Sequence, residues 1–321
     1  MGPALERQVF AYQPLNVSQQ SIRLIRVLPE LSTEYSCLSY VWGSPSDRRI
    51  EIAGQQHLVR DNLLAFLQVA RSRGISKWLW IDALCIDQNN VKERTRQVRL
   101  MGSIFSHAIE VISWVGPDES IAEFLRDSPQ KDVLTRTVAI SFFSSDYLLC
   151  AWIIQEIILA RRGMLMAGDV ELAVSNLPQF VTIEASWNYI GLTLKCYTSS
   201  HQGAIDEDAR GRTLLWLLGR FRYKRCAVSR DRVFSFLGLC SNGADTTIDY
   251  STTNEEVAYD IISKCLQSLC LCTTGIVCEA LDIAVKPGIL PEWKYFTSEP
   301  WTRIFAQVTL PVVSHFEPSR G

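Results

Sequence analysis

Short apolar segments typical of strands alternate with segments of helical spacing through the first half of the chain. The strand-like segments are 21–28, 35–41, 77–82, 109–115 and 164–167. Between them, Asp61 is placed to begin a helix to about residue 73, and Asn90 to cap a helix to about residue 106. Segments 50–53 and 57–59 flank Gly54 and predict a hairpin. This alternation predicts an α/β fold, a parallel sheet with helices on both faces.

The second half is more helical. Residues 148–160 are apolar on every side and predict one largely covered helix, and helical spacing recurs near 213–221, 231–239 and 254–271. We therefore place a soft boundary near Gly168. Residues 1–168 form the expected α/β domain with an N-terminal strand extension. Residues 169–321 form a mainly α-helical C-terminal region packed on it.

Composition narrows the function classes. The chain has 321 residues, 47% of them hydrophobic, which predicts a folded core, and a net charge of −2, which disfavours nucleic-acid binding. The most apolar long stretch, 257–285, contains Asp260, Lys264, Glu279 and Asp282 and is too polar for a membrane span. Residues 1–11 lack an apolar signal-peptide core. We therefore expect a cytoplasmic protein whose ten cysteines form no disulfides and no metal site.

The first chemically unusual stretch is LWIDALCIDQNN, residues 79–90. A buried strand delivers Asp82, and the following loop adds Asp87, Gln88 and Asn89. Ligands bind beyond the carboxyl ends of parallel strands, where such polar groups can hold hydroxyls or amides. The alternative is ordinary turn and cap chemistry, for which Asp and Asn are also favoured.

The second unusual stretch is the apolar helix. Between residues 147 and 160 only Gln155 and Glu156 are strongly polar. Trp152 and Glu156 are four residues apart and share a helix face, so an aromatic wall beside a carboxylate would suit an uncharged, ring-bearing ligand. The alternative is a structural salt bridge from Glu156 to Arg161 or Arg162.

Several motifs in order also carry a family resemblance. They are YSCLSYVWG (35–43), LWIDALCIDQ (79–88), ER-x-x-QV-x-x-MG (93–102), VISWVG (111–116) and AWIIQEIILA (151–160), followed by RDRVFSFLGL (230–239) and IDYS (248–251). Together they resemble the successive blocks of the fungal heterokaryon-incompatibility (HET) domain. The resemblance covers most of residues 10–270.

The resemblance implies a fold related to Toll/interleukin-1 receptor (TIR) domains, which are flavodoxin-like. In TIR enzymes a W-C-x-x-E helix supplies the glutamate that splits NAD, and residues 152–156 keep that Trp-to-Glu spacing. On this basis Glu156 is the expected catalytic residue. The expected ligand-binding residues are Tyr40, Trp42, Asp82, Asp87, Gln88 and Trp152. One departure is Cys150, where HET domains often have Arg.

Three function classes follow. The first is an effector of programmed cell death in non-self recognition that hydrolyses NAD, which is then a substrate rather than a cofactor. The second is a non-catalytic signalling module that self-associates or assembles with other HET or TIR-like chains. The third is a small-molecule enzyme that uses the same cleft. Glu156 exposed in a cleft with Asp82 favours the first or third class, and Glu156 paired with a buried Arg favours the second.

Overall fold

A mixed β-sheet lies at the centre of the protein. The computed structural model describes residues 10–15, 21–26, 34–128, 141–177, 209–241, 246–265 and 271–284. Within them a six-stranded sheet has the order β1-β5-β2-β6-β7-β8, and β3 and β4 form a separate hairpin. The strands are β1 Ile25–Arg26, β2 Tyr35–Tyr40, β3 Arg48–Ile52, β4 Gln55–Val59, β5 Trp78–Trp80, β6 Val111–Gly116, β7 Gly163–Ala167 and β8 Val170–Ala173.

The four inner strands are parallel, as the sequence predicted. β2 pairs in parallel with β5 on one side and β6 on the other, and β6 pairs in parallel with β7. The edge strands β1 and β8 are antiparallel to their neighbours. Along the sheet the parallel strands therefore run second, first, third, fourth in chain order. The direction of strand addition reverses between β2 and β6, and in open α/β sheets that reversal is where ligands bind.

Helices cover both faces of the sheet, which confirms the α/β prediction. They are α1 Asp61–Ser72, α2 Asp82–Cys85, α3 Val91–His107, α4 Glu119–Asp127, α5 Asp146–Leu149, α6 Trp152–Ile158, α7 Leu214–Arg220, α8 Asp231–Phe234, α9 Asn254–Lys264 and α10 Leu271–Ala280. Helix α1 packs with Leu38, Tyr40 and Trp114 on one face. Helices α3 to α6 and the C-terminal helices share a second core with Cys37 and Trp80. Successive side chains of a strand point to opposite faces, so neighbours such as Cys37 and Leu38 enter different cores.

Local signals act mostly as predicted. The hairpin turns at Ala53 and Gly54, both of which have positive φ. The Asn90 side chain caps α3 by accepting from the Glu93 amide. Helix α1 differs slightly, because Arg60 flanks it without a side-chain cap and Asp61 is its first helical residue.

The single helix predicted over residues 148–160 is wrong. Two short helices, α5 and α6, are separated at Cys150, whose ψ of 137° is extended. The backbone there pairs with a distant strand-like segment: the Arg225 amide donates to the Leu149 carbonyl at 2.7 Å, and the Ala151 amide donates to the Arg225 carbonyl at 2.9 Å. The apolar composition indicated burial correctly but carried no sign of this long-range pairing.

The sheet continues past Gly168 into β8, and the C-terminal region described beyond it is mainly helical. Helix α10 packs against α7 and α9. No helix among the described residues is both long and apolar enough to cross a membrane.

Candidate functional site

Asp82 lies at the carboxyl edge of the sheet, directly after β5, as the first turn of α2. Its Oδ2 accepts a hydrogen bond from Trp42 Nε1 at 2.7 Å, and its Oδ1 accepts from the Ala83 amide at 2.7 Å. The Tyr40 hydroxyl also donates to this carboxyl group. Asp82 remains partly exposed to solvent. The structure thus brings together three of the residues expected to bind a ligand.

The surroundings of Asp82 place its titration near neutral pH. Burial raises the pKa of Asp82 to about 6, even though the donors from Trp42, Ala83 and Tyr40 and the charge of Arg60 act to lower it. The Arg60 guanidinium lies over the Trp42 ring, 5.0 Å from its centroid, and donates to the Gly43 carbonyl. Asp82 is therefore mostly ionised at pH 7.

Glu156 reaches the same edge from the other face of the sheet. It projects from α6 and forms a hydrogen bond with Ser39 of β2, whereas the next residue, Tyr40, points into the opposite core. Glu156 is only 6% exposed, and its Oε2 has no hydrogen-bond partner in the part of the chain that the structure describes. Burial raises the pKa of Glu156 to about 8, the Ser39 bond lowers it, and the charge of Asp82 raises it. Glu156 is therefore a buried acid, not the exposed carboxylate expected from the sequence.

The alternative salt bridge does not form. Arg161 Nε donates to the Ser106 carbonyl at 2.8 Å, and Arg162 Nε donates to the Ile109 carbonyl at 3.3 Å. No ion pair within the described ranges includes Glu156. The carboxyl group is thus almost fully buried, and no cation among the described residues pairs with it.

Sequence comparison matches this part of the chain to a known family. Residues 35–147 match the model of the family described as heterokaryon incompatibility protein (HET). Residues 35–147 are therefore similar to the HET domain. It is 36% identical over 97 residues to heterokaryon incompatibility protein 6, OR allele, of Neurospora crassa, a stretch that covers 26% of this chain and 14% of that relative. No solved structure matches the chain.

The region that matches the HET model contains Tyr40, Trp42 and Asp82, but it ends before Glu156. The resemblance seen in the motifs is thus confirmed over residues 35–147. The helix with Trp152 and Glu156 joins the site from outside the matched region.

Trp152 does not share the polar partner of Glu156. Its indole donates to Asp231 of α8, and the Tyr250 hydroxyl donates to the same carboxyl group at 2.7 Å. The Arg94 guanidinium lies over the Tyr250 ring, 4.6 Å from its centroid. Trp152 is therefore bound to the C-terminal region, although its spacing placed it on the same face as Glu156.

Asp87 and Gln88 form hydrogen bonds within the loop that follows α2. Asp87 Oδ1 accepts from the Asn89 amide at 3.1 Å, which is ordinary turn chemistry. Gln88 Nε2 donates to the backbone carbonyl of Asp82 at 3.1 Å. Both contacts fit the structural alternative for these two residues, and their role in ligand binding stays a prediction.

The sequence interpretation missed the ion pair of Arg23 and Glu93, which binds the backbone of this loop. Arg23, outside the region that matches the HET model, forms an ion pair with Glu93 and donates to the Cys85 carbonyl at 3.1 Å. Glu93 also accepts from the Asp87 amide at 2.8 Å. Burial acts to raise the pKa of Glu93, but the bonds from Arg23 and Asp87 lower it overall. The Tyr12 hydroxyl adds a bond to the Ala83 carbonyl at 3.4 Å.

Ser39 and Arg60 were also missed. Ser39 had a usable signal, because a serine within the buried apolar strand YSCLSY needs a polar partner. Arg60 had none, since an Arg before a helix is usually solvated. Across the described residues, no group of three or more His, Cys, Asp or Glu side chains is arranged to hold a metal ion.

Proposed function

We propose that the chain acts in fungal non-self recognition as a HET-domain protein, and that its site hydrolyses NAD at the nicotinamide–ribose bond. The HET match and the name of the Neurospora relative support the first part. The aligned stretch spans 14% of that relative, so the activity of the whole relative is not transferred. The observation that carries the second part is Asp82, a half-buried residue whose carboxylate accepts a hydrogen bond from Trp42 at the sheet edge.

The chemistry needs little from the protein beyond charge and orientation. Nicotinamide leaves as a neutral ring because its nitrogen is cationic before cleavage, and the ribose develops positive charge in an oxocarbenium-like transition state. A preorganised anion beside that charge stabilises the transition state. Asp82, with a pKa of about 6, is ionised at neutral pH and fits this role. Trp42 and Tyr40 add aromatic surface beside it.

The strand order also supports a TIR-like architecture. The four parallel strands follow the second-first-third-fourth order of flavodoxin-like sheets, and the site lies beyond their carboxyl ends. This likeness is one of topology and forms part of the proposal.

The test is incubation of the purified chain with NAD over a series of protein concentrations, with nicotinamide and ADP-ribose measured as products. We expect Asp82→Asn to lower the rate on the order of a hundredfold, the usual effect of losing one preorganised electrostatic group. Asp61→Asn is the matched control, because Asp61 is 69% exposed and pairs with Arg48 on the surface. Equal rates for Asp82→Asn and wild type would exclude Asp82 from the chemistry.

A second candidate, a non-catalytic assembly module, is favoured by the burial of Glu156. The residue that the resemblance assigns to catalysis is an acid that keeps its proton near neutral pH. On this hypothesis wild type produces no nicotinamide at any protein concentration. It would instead self-associate or bind other HET or TIR-like chains. Sedimentation of the purified chain measures self-association.

A further inference from the structure

Two carboxyl groups meet the carboxyl edge of the sheet in opposite chemical environments. Asp82 accepts three hydrogen bonds, keeps contact with solvent and feels the positive charge of Arg60. Glu156 has one donor, Ser39, and is 6% exposed. The two groups are close enough for the charge of Asp82 to act on Glu156.

None of the ion pairs within the described ranges includes Glu156, and the buried Lys224 ammonium acts on Cys150 and donates to the Leu148 carbonyl. The titratable groups that interact electrostatically with it come from three directions: Cys37 and Tyr40 of β2, Asp82 of α2, and Tyr147 and Cys150 around α5. Each of these side chains is neutral when protonated and negative when deprotonated, so none of them supplies a positive charge. Because two neighbouring carboxylates repel each other and burial disfavours charge, one proton stays on the pair.

Ser39 forms hydrogen bonds with both Glu156 and Tyr147. The hydroxyl oxygens of Ser39 and Tyr147 are 2.8 Å apart. When Tyr147 donates to Ser39, the Ser39 hydroxyl is left to donate to Glu156. Among the described residues, Oε2 of Glu156 has no hydrogen-bond partner. A buried polar atom with no partner is uncommon in a folded protein and needs an explanation.

We propose that Glu156 keeps a proton on Oε2 at neutral pH and donates it in a hydrogen bond to an acceptor on the ligand, while Asp82 is the anion of the site. This deepens the proposed function and rests on it. The ligand class is a neutral or cationic ring that bears an amide or similar acceptor, joined to a hydroxyl-bearing sugar. The acceptor lies toward Glu156, and the sugar lies toward Asp82. No bond to Glu156 forms or breaks.

The first test is an infrared difference spectrum between wild type and Glu156→Gln in the absence of ligand. We expect the carbonyl band of a protonated carboxyl group at pH 7, sensitive to deuterium exchange and disappearing as the pH rises past about 8. The difference spectrum between wild type and Asp82→Asn is the matched comparison, because the protonated-carboxyl band of Asp82 in wild type should disappear near pH 6. Carboxylate bands alone for Glu156 at pH 7 would overturn the inference, whether or not NAD is hydrolysed.

The second test is calorimetric titration of the full chain with NAD. Glu156→Gln should bind within about threefold of wild type, because an amide keeps a donor, whereas Glu156→Leu should bind about tenfold more weakly, as expected for one neutral hydrogen bond. Equal losses for both variants would show that the charge of Glu156 matters and would contradict the inference. If the acid band is present and no form binds NAD, the choice of NAD in the proposed function is wrong, whereas the assignment of the proton stands.

Discussion

Glu156→Gln should change the pH dependence of folding stability, and the structure gives the sign. The pKa of Glu156 is about 8 in the folded chain, against an ordinary value of 4.5. Between these values the folded state binds more protons than the unfolded state, so stability falls as the pH rises. The contribution of Glu156 to folding stability is fully present below about pH 4.5 and is lost by about pH 8. Glutamine does not titrate, so the folding stability of the variant does not fall with pH for this reason.

The size of the effect follows from the same values. Each unit of pKa difference is worth about 1.4 kcal/mol, which sets a ceiling on the order of 5 kcal/mol for a shift from 4.5 to about 8. Glu156 is 6% exposed, so solvent screening reduces this little. Between pH 5 and pH 8 we therefore expect the free energy of unfolding of Glu156→Gln to rise by a few kcal/mol relative to wild type. Asp82 titrates in both proteins, so its contribution largely cancels in the comparison.

The assay is urea unfolding at several pH values from 5 to 8, followed by circular dichroism and by tryptophan fluorescence. Coincident transitions from the two probes are needed for a two-state free energy. Glu119→Gln is the matched control, since the Glu119 side chain is 74% exposed and should leave the pH profile unchanged. A difference between wild type and Glu156→Gln that is constant over this range would refute the reasoning, because Glu156 would then titrate alike in the folded and unfolded states.

Two further substitutions, Gly238→Ala and Glu93→Gln, test contacts that hold the elements around the site in place, and Gly219→Ala is a control. Gly238→Ala should lower the free energy of unfolding by about 2–4 kcal/mol, because its methyl group would overlap the Gln155 amide, whose Oε1 accepts from the Gly238 amide at 3.1 Å. Gly219→Ala, which meets only a flexible methyl group at 3.3 Å, should be nearly neutral in the same urea assay. Glu93→Gln should cost about 1–3 kcal/mol by weakening the partly buried pair with Arg23, and an unchanged urea midpoint would show that this pair does not hold the loop.

The sheet could be predicted because its signals are local. Each strand is a short apolar run, each predicted helix start has polar residues of the right type, and the hairpin has its glycine at the turn. Strand order then follows from short connections and right-handed crossovers. The break at Cys150 could not be predicted in this way, because its cause is the backbone of Arg225, which lies far along the chain. Edge strand β8 is only four residues long and gave little pattern to detect.

The candidate site was predictable to the extent that it depends on strand ends. Asp82 follows a buried strand, Tyr40 is the last residue of the strand beside it, and Trp42 follows that strand, so the sheet brings the three together. Helical spacing also placed Trp152 and Glu156 on one face, but it could not show what covers each side chain. Trp152 is bound by Asp231, and Glu156 is enclosed beside Ser39.

The protonation of Glu156 depends on residues inside and outside the region 35–147 that matches the HET model. Ser39, its hydrogen-bond donor, lies within residues 35–147, whereas α6, which carries Glu156, lies outside. Helix α6 is itself backed by the segment at Gly238, whose amide bonds to Gln155. Removing that backing would admit water beside Glu156 and let its pKa fall toward the ordinary value. The chemistry available at this edge therefore depends on how the C-terminal region covers α6. A HET match alone does not determine whether Glu156 acts as an acid or as an anion.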